Sequence, residues 1–442
     1  MQIEINDEFK QALNILSKTN DNVFITGKAG TGKTTFLKYY ISKCNKKFVV
    51  LAPTGVAALN AGGETIHSFF KFKTDVTLEK IKKRKFNGNS IYKNLDVIVI
   101  DEASMLRADL LDCVEKFLRL NGKVPNLPFG GTQIVFIGDL LQLPPVVMKD
   151  EQYLFQSYYD SPYFFSAKCM DESYCHIIEF TKIYRQVDSE FINILNSIRS
   201  NQVTQRSIDI INERVNKKFQ KFKLSVLLTT TNKKAQDYNE HFLNQIDTEE
   251  KIFVAEVEDI ENANNFPADY ELKIKVGAQV MMLNNDSSNR WVNGSMGIVQ
   301  SIEKSLELDT DIIYVKFQND VVEPVERHTW ELFKYKWNED LQKIETQKAG
   351  SFSQYPLKLA WAVTIHKSQG KTFDNVLIDL GYGAFAPGQL YVALSRCKSI
   401  EGISLVRPIK PRDIIIDNRI ERLLSKRAKI HYLTEPKYKL LC

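Results

Sequence analysis

The run GKAGTGKTT, Gly27 to Thr35, sets three glycines around a lysine that two threonines follow. Gly27, Gly32, Lys33 and Thr34 fit the spacing GxxxxGK[ST], and Ala29, Gly30, Thr31 and Thr35 complete the loop. Glycines let the backbone curl so that successive N–H groups point inward at oxygens. The helix that follows adds a field favourable to anions. Lys33 then reaches the outer phosphates of a nucleotide, and the Thr34 hydroxyl is free for Mg²⁺. A glycine turn before a helix would need neither of those two side chains.

Two further stretches supply what such a loop lacks. In LDVIVIDEASM the apolar run ends on Asp101 and Glu102. Asp101 is placed to hold Mg²⁺ through water together with Thr34, and Glu102 to take a proton from an attacking water. In FIGDLLQLPPV, Gln142 is either a neutral sensor of the terminal phosphate or an ordinary loop amide, with Pro144 and Pro145 stiffening the chain behind it. Lys33, Asp101, Glu102 and Gln142 are thus the catalytic candidates that the residues themselves offer, and ATP with Mg²⁺ is the expected cofactor.

The elements that position these groups are legible as well. NVFITG, FVVLAP, LDVIVID and TQIVFIGD are β-branched and aromatic runs, separated by amphipathic segments such as TTFLKYYISKC and ADLLDCVEKFLRL. Continuous apolar strands alternating with helices specify a parallel sheet buried on both faces. The pattern recurs in LSVLLTT, NVLIDL and GISLV, while VGAQVMMLNND, NGSMGIVQSI and DIIYVKFQND read as strands joined by Gly and Asn turns. The expected architecture is α/β: two units with parallel sheets and a small β-barrel inserted in the second. The first unit spans 1–174 with a small insertion near 62–90; the second spans 175–234 and 350–442; the barrel spans 235–349.

Bulk properties agree with a soluble multidomain enzyme. The chain has 442 residues, too many for one core, with 26% charged residues and a net charge of +5, which permits a nucleic-acid partner without requiring one. No two of the six cysteines are spaced as CxxC, so no zinc ribbon is indicated, and Cys169, Cys175 and His176 read as buried groups beside a strand. The polar start MQIEINDEFK and the lack of long apolar runs predict no leader and no membrane span, hence a cytoplasmic protein. The basic clusters KIKKRK (Lys80 to Lys85) and KKFQKFK (Lys217 to Lys223) are expected to be solvated surface.

Eight motifs in order carry a resemblance: GKAGTGKTT, APTGVAA, GGETIHSFF, VIDEASM, GDLLQLPPV, YRQ, TIHKSQG and YVALSRCKSIEG. Together they resemble the Pif (petite integration frequency) family of superfamily 1 DNA helicases. The resemblance implies two RecA-like domains with ATP in the cleft between them, an SH3-like barrel insertion, and 5′-to-3′ movement on single-stranded DNA with unwinding of forked or tailed duplexes. It also implies repair, recombination or telomere-related work by a protein that is monomeric at rest, and nucleoid association if the source is prokaryotic.

Residue by residue, the resemblance makes Arg185 (in YRQ) and Arg396 (in ALSR) the two arginines that reach the γ-phosphate from the second domain. A guanidinium there stabilises charge in the transition state. It gives Thr54 and Gly55 to a DNA phosphate, and makes His67 DNA-facing, with Phe69 or Phe70 as a base-stacking partner and at least one of the two expected in the core. In AVTIHKSQG, Thr364, His366 and Lys367 would face the DNA, and Gln369 and Gly370 the nucleotide. Phe9 stands where related helicases often carry a glutamine that reads adenine, so strict selection of ATP does not carry over. Other readings stay open: a RecD-like or other DNA-stimulated ATPase, a nucleotide-switched DNA-binding protein without unwinding, and a small-molecule kinase, which would need neither a second α/β unit nor a barrel.

Overall fold

The computed structural model describes residues 5–420 apart from 74, 87–89, 148–150, 187, 218–223, 259–265, 267 and 306–309. Cys442 and most of the basic run 217–223 lie outside the described residues. Six strands form a wholly parallel first sheet: β1 (Asn22–Gly27), β2 (Phe48–Ala52), β3 (Glu64–Thr65), β4 (Val97–Ile100), β5 (Gln133–Ile137) and β6 (Cys175–Phe180). Their order is β3-β2-β4-β5-β1-β6. Every residue of β1, β4 and β5 is buried, as their unbroken apolar runs require. The helix Ala108–Asn121 covers one face with Leu111, Val114, Phe117 and Leu118, and the helix Lys33–Lys43 covers the other with Phe36, Leu37 and Tyr40.

The first sheet does not stop at residue 174. β6 pairs with β1 along its whole length, so the first unit extends through Phe180. It stands at the edge of the sheet, and its apolar run is interrupted by His176 and Glu179, with only Cys175, Ile178 and Phe180 buried.

The second sheet begins with β7 (Val226–Thr229), after which the chain departs into a strand-rich insertion. Its ten strands are β8 (Glu250–Val254), β9 (Glu256–Glu258), β10 (Glu271–Lys275), β11 (Gln279–Met282), β12 (Met296–Lys304), β13 (Asp311–Phe317), β14 (Val322–Val325), β15 (His328–Asn338), β16 (Lys343–Gln354) and β17 (Leu357–Leu359). All pair antiparallel, in sheets β10-β8, β14-β13-β12-β11-β17 and β15-β16-β9. The five-stranded sheet and the β8/β10 pair share one core that holds Phe253, Ile274, Trp291, Val315 and Tyr355. The chain then re-enters the second sheet with β18 (Ala362–Thr364), β19 (Val376–Asp379) and β20 (Ile403–Leu405), in the parallel order β18-β7-β19-β20.

Both boundaries drawn for the insertion move. The helix Asn232–Asn244 packs on β7 and β18 and so belongs to the second sheet's cover. A cut at 349 would divide β16 in the middle of its ladder with β15. That ladder is a long hairpin which leans on the first unit. Tyr335 donates its N–H to Glu64 at 2.6 Å and accepts from Val50 N–H at 3.1 Å, Phe69 meets the Tyr335 ring edge-on, and Lys47 lies 4.6 Å from the Trp337 ring.

Cys113, Cys169, Cys175 and Cys397 are buried thiols, and no group of metal-ligating side chains is found among the described residues. Of the basic cluster 80–85, Lys80 pairs with Asp75 and Arg84 lies over the Phe117 ring, so two of its charges have partners on the protein itself. No helix among the described residues is long and apolar enough to cross a membrane.

Candidate nucleotide and nucleic-acid site

The GKAGTGKTT loop joins β1 to the helix Lys33–Lys43 and turns through left-handed backbone at Gly30 (φ +80) and Gly32 (φ +84). A Cβ on Gly30 would stand 2.5 Å from the Arg185 Cβ, so only glycine admits that close approach. The Lys33 ammonium donates to its own loop, to Gly27 O at 2.7 Å and Lys28 O at 2.9 Å, and burial holds its pKa below the usual lysine value. Thr31 is buried with its hydroxyl on Lys28 O, whereas Thr34 and Thr35 are exposed at the helix start. The loop has the shape, the cation and the free hydroxyl that a triphosphate with Mg²⁺ needs.

Asp101 follows β4 and Glu102 sits beside it in left-handed backbone (φ +51). Burial, reinforced by the Glu102 charge, pushes the Asp101 carboxyl up to about 7. Burial likewise raises Glu102, against the pull of Lys33, Arg396 and Arg185. Two adjacent carboxyls at a strand end can offer one group to a cation and the other to a proton. Gln142 is buried and donates its amide to Asp139 at 3.3 Å, so it is tied into a network rather than loose in a loop.

Arg185 and Arg396 converge. Arg396 is buried among oxygens: Nε donates to Val392 O at 3.0 Å, Nη2 to the Ser395 hydroxyl at 2.8 Å, and Nη1 to Ser368 O and Lys371 O at 3.5 and 3.4 Å. Burial and the neighbouring Arg185 charge depress it to about 9. Arg185 donates to Ser395 O at 3.4 Å. Among the described residues neither arginine has a carboxylate within ion-pair distance. Two adjacent guanidiniums without a counter-ion, close to Glu102, make a receptor for anionic oxygens.

Arg185 is not carried by the second unit alone, as the resemblance implied. Tyr184 N–H donates to Gly30 O at 2.8 Å, which pins this segment to the phosphate loop, while Gln186 donates to Ser395 O and Cys397 O across the cleft. The segment is a clasp between units, because it leaves the end of β6 beside the loop.

Three side chains at this junction were not singled out from sequence. Ala29 N–H donates to the Tyr391 hydroxyl at 3.0 Å, from loop to second unit. Asp139, with no side-chain exposure, accepts from Arg199 at 3.2 Å. Arg199 ends the helix Ser189–Arg199, which packs in the second unit's core. Asp139 carried the same signal as Asp101, an acid just past an apolar strand; Arg199 carried none.

The proposed DNA residues fall into two groups. Phe69 and Phe70 are both buried, packed with Tyr92, Phe72, Phe117 and Tyr335, so neither is free to stack on a base. The five-residue helix Ile66–Phe70 is too short to expose either while segments far away in sequence close over it. His67 is half-buried and kept below its ordinary pKa by burial. Thr54 caps the helix Gly55–Ala61, accepting from Ala57 N–H at 3.3 Å. Thr364 ends β18 and accepts from Lys367 N–H; Lys367 is exposed, and burial lowers the half-buried His366. Gln369 has a buried amide nitrogen without a partner among the described residues, and Gly370 turns at φ +75.

A family model described as PIF1-like helicase matches residues 2–209, and one described as DNA helicase Pif1, 2B domain, matches residues 260–302. The chain is 31% identical over 432 residues to the ATP-dependent DNA helicase Pif1 of Bdellovibrio bacteriovorus, covering 95% of this chain and 91% of that one. It is 32% identical to the Xenopus laevis ATP-dependent DNA helicase PIF1, covering 92% of this chain but 62% of that longer protein. Among solved structures, Bacteroides sp Pif1 in complex with ADP-AlF4 superposes with a TM-score of 0.87 at 38% identity, covering 97% and 98% of the two chains. Bacteroides Pif1 bound to ssDNA superposes with a TM-score of 0.69 at 37% identity over the same shares.

Proposed function

The chain belongs to the PIF1-like helicase family, whose members compared above are ATP-dependent DNA helicases, and from that premise we propose how its own residues join nucleotide to strand. ATP sits on the loop 27–35, with Lys33 released from Gly27 O and Lys28 O to the outer phosphates. Thr34 and Asp101 are the residues that would hold Mg²⁺, which screens phosphate charge when bound. Glu102 accepts the proton of the attacking water as its oxygen bonds to the γ-phosphorus and the bond to the bridging oxygen breaks. Arg185 and Arg396 take up the charge that spreads over the phosphoryl oxygens, and Gln142 completes the ring.

The strand lies across both units. Thr54 and Gly55 on the first, and Thr364, His366 and Lys367 on the second, grip successive phosphates in turn as the cleft closes and opens. We assign 5′-to-3′ movement, single-stranded and forked or tailed duplex DNA as partners, a monomer at rest, and a cytoplasmic setting. The observation that carries this reading is the meeting of Gly30, Arg185 and Arg396 at one cleft between two parallel-sheet units. The test is unwinding of duplexes carrying a single 5′ or 3′ tail, with and without ATP. Unwinding of the 5′-tailed duplex alone, and only with ATP, is expected; opening of the 3′-tailed duplex would overturn the polarity, and DNA-independent hydrolysis would overturn the motor.

A further inference from the structure

The short helix Gln389–Ser395 belongs to the second unit but touches the first at two places, and all of its residues are buried. Just before it, Gly388 turns at φ +70, and a Cβ there would collide with the Leu141 and Gln142 carbonyls. The helix therefore starts directly against the backbone that carries Gln142, an approach that glycine alone admits. At its other end stands Arg396. That guanidinium bonds back onto the helix, through Val392 O and the Ser395 hydroxyl, so it moves with the helix as one body.

The second contact is made by Tyr391. Its ring packs in the second unit's core, which also takes in Ala29 and Leu143 from the first unit. Its hydroxyl accepts from Ala29 N–H at 3.0 Å, inside the phosphate loop. Burial, with Asp139 beside it, pushes that hydroxyl up to about 12, so it stays an uncharged O–H. The next loop residue is held as well, since Gly30 O accepts from Tyr184 N–H at 2.8 Å. Each of the two arginines is thus tied to the loop through a tyrosine of its own segment: Arg185 by the backbone of Tyr184, Arg396 by the side chain of Tyr391. A buried amide such as that of Ala29 needs an oxygen partner once the cleft shuts out water.

We propose that Tyr391 is a positioning residue: its hydroxyl fastens the phosphate loop to the helix that carries Arg396, and so sets that guanidinium against the terminal phosphate when the cleft closes. The inference rests on the helicase reading and adds to it a residue that acts through the loop and Arg396. Ala29 and Tyr391 belong to different units, so their bond favours the closed cleft over the open one. Nucleotide resting on the first unit's loop does not need it, whereas phosphoryl transfer, which needs Arg396 in place, does. An interaction of that kind appears in kcat more than in ground-state binding.

The experiment is Tyr391→Phe in the full chain, which keeps the ring and removes the hydroxyl. Steady-state ATP hydrolysis with single-stranded DNA gives kcat and KM. Titration of a fluorescent ADP analogue, with and without aluminium fluoride as a mimic of the transferring phosphoryl group, gives the two affinities. Tyr391→Phe is expected to lower kcat about tenfold, the effect of leaving one buried donor unpaired, while KM for ATP holds. Affinity for the ADP analogue alone should hold too, and the tightening brought by aluminium fluoride should shrink about tenfold. Gly388→Ala, which pushes the same helix off Leu141 and Gln142, should give the same signature and stands in if the phenylalanine variant does not fold. A kcat within about twofold of the parent would overturn the role of the hydroxyl. Affinity for the ADP analogue falling as far as that of its aluminium fluoride complex would show a loop that has merely lost its shape, and would overturn it equally. A parental protein whose hydrolysis DNA does not stimulate would instead overturn the helicase reading beneath it.

Discussion

Arg199→Ala isolates the contact across the cleft that no motif revealed. The Arg199 guanidinium lies 3.2 Å from Asp139 Oδ1 and 3.8 Å from Glu179, with side-chain exposures of 12% for Arg199 and 0% for Asp139. Removing one partner of a buried pair costs about 3–5 kcal/mol, because the other charge stays buried and unpaired. Asp139 would still accept from Leu141 N–H at 3.2 Å and from the Gln142 amide at 3.3 Å, and Arg199 is not wholly enclosed, so the lower end applies, about 3 kcal/mol. The two residues belong to different units, so the loss falls on closure of the cleft more than on either core. At about 1.4 kcal/mol per factor of ten, DNA-stimulated kcat/KM for ATP should fall roughly 100-fold. Neutralising both sides, Asp139→Asn with Arg199→Gln, removes the stranded charge and should recover most of that loss. A double-mutant cycle on steady-state hydrolysis measures the coupling, with melting temperatures as control. Arg199→Ala within threefold of the parent, or a double variant no better than Arg199→Ala, would refute the argument.

Three further outcomes are expected. Glu102→Gln should bind a fluorescent ATP analogue while hydrolysis falls by about 10²–10⁴, the range for removing a positioned proton acceptor. Gly30→Ala forces left-handed backbone costing about 1–2 kcal/mol and sets a methyl against the Arg185 Cβ, so single-turnover hydrolysis should slow by about tenfold or more while DNA affinity holds. Phe70→Ala should lower unfolding free energy by about 3–5 kcal/mol in a denaturant titration, with no change in the salt slope of DNA binding, since that ring is core.

What the sequence discloses follows the range of each physical constraint. Lys33, Asp101 and Glu102 were legible because a phosphate loop and a strand end are set by neighbouring residues. The parallel sheets were legible because strands buried on both faces must be apolar throughout, as β1, β4 and β5 are. β6 was not legible as part of the first sheet because, at the sheet's edge, its apolar run is interrupted by His176 and Glu179. At least one of Phe69 and Phe70 was expected in the core; that both are there was not legible, because their partners, Tyr92, Phe117 and Tyr335, come from three separate segments. The Asp139–Arg199 pair spans 60 residues and joins two units, so no local pattern announces it.

Arg396 is held by the Ser368 and Lys371 carbonyls, which belong to the same short stretch as Thr364, His366 and Lys367. Under the proposed function that stretch has a nucleotide end, where Arg396 lies beside Arg185 and near Glu102, and a strand end, where Thr364, His366 and Lys367 are the proposed grip. A shift of the backbone at Ser368 would then move both the guanidinium and the strand-gripping residues, so the binding free energies of ATP and DNA would be coupled through a few covalently joined residues with no relay of side chains.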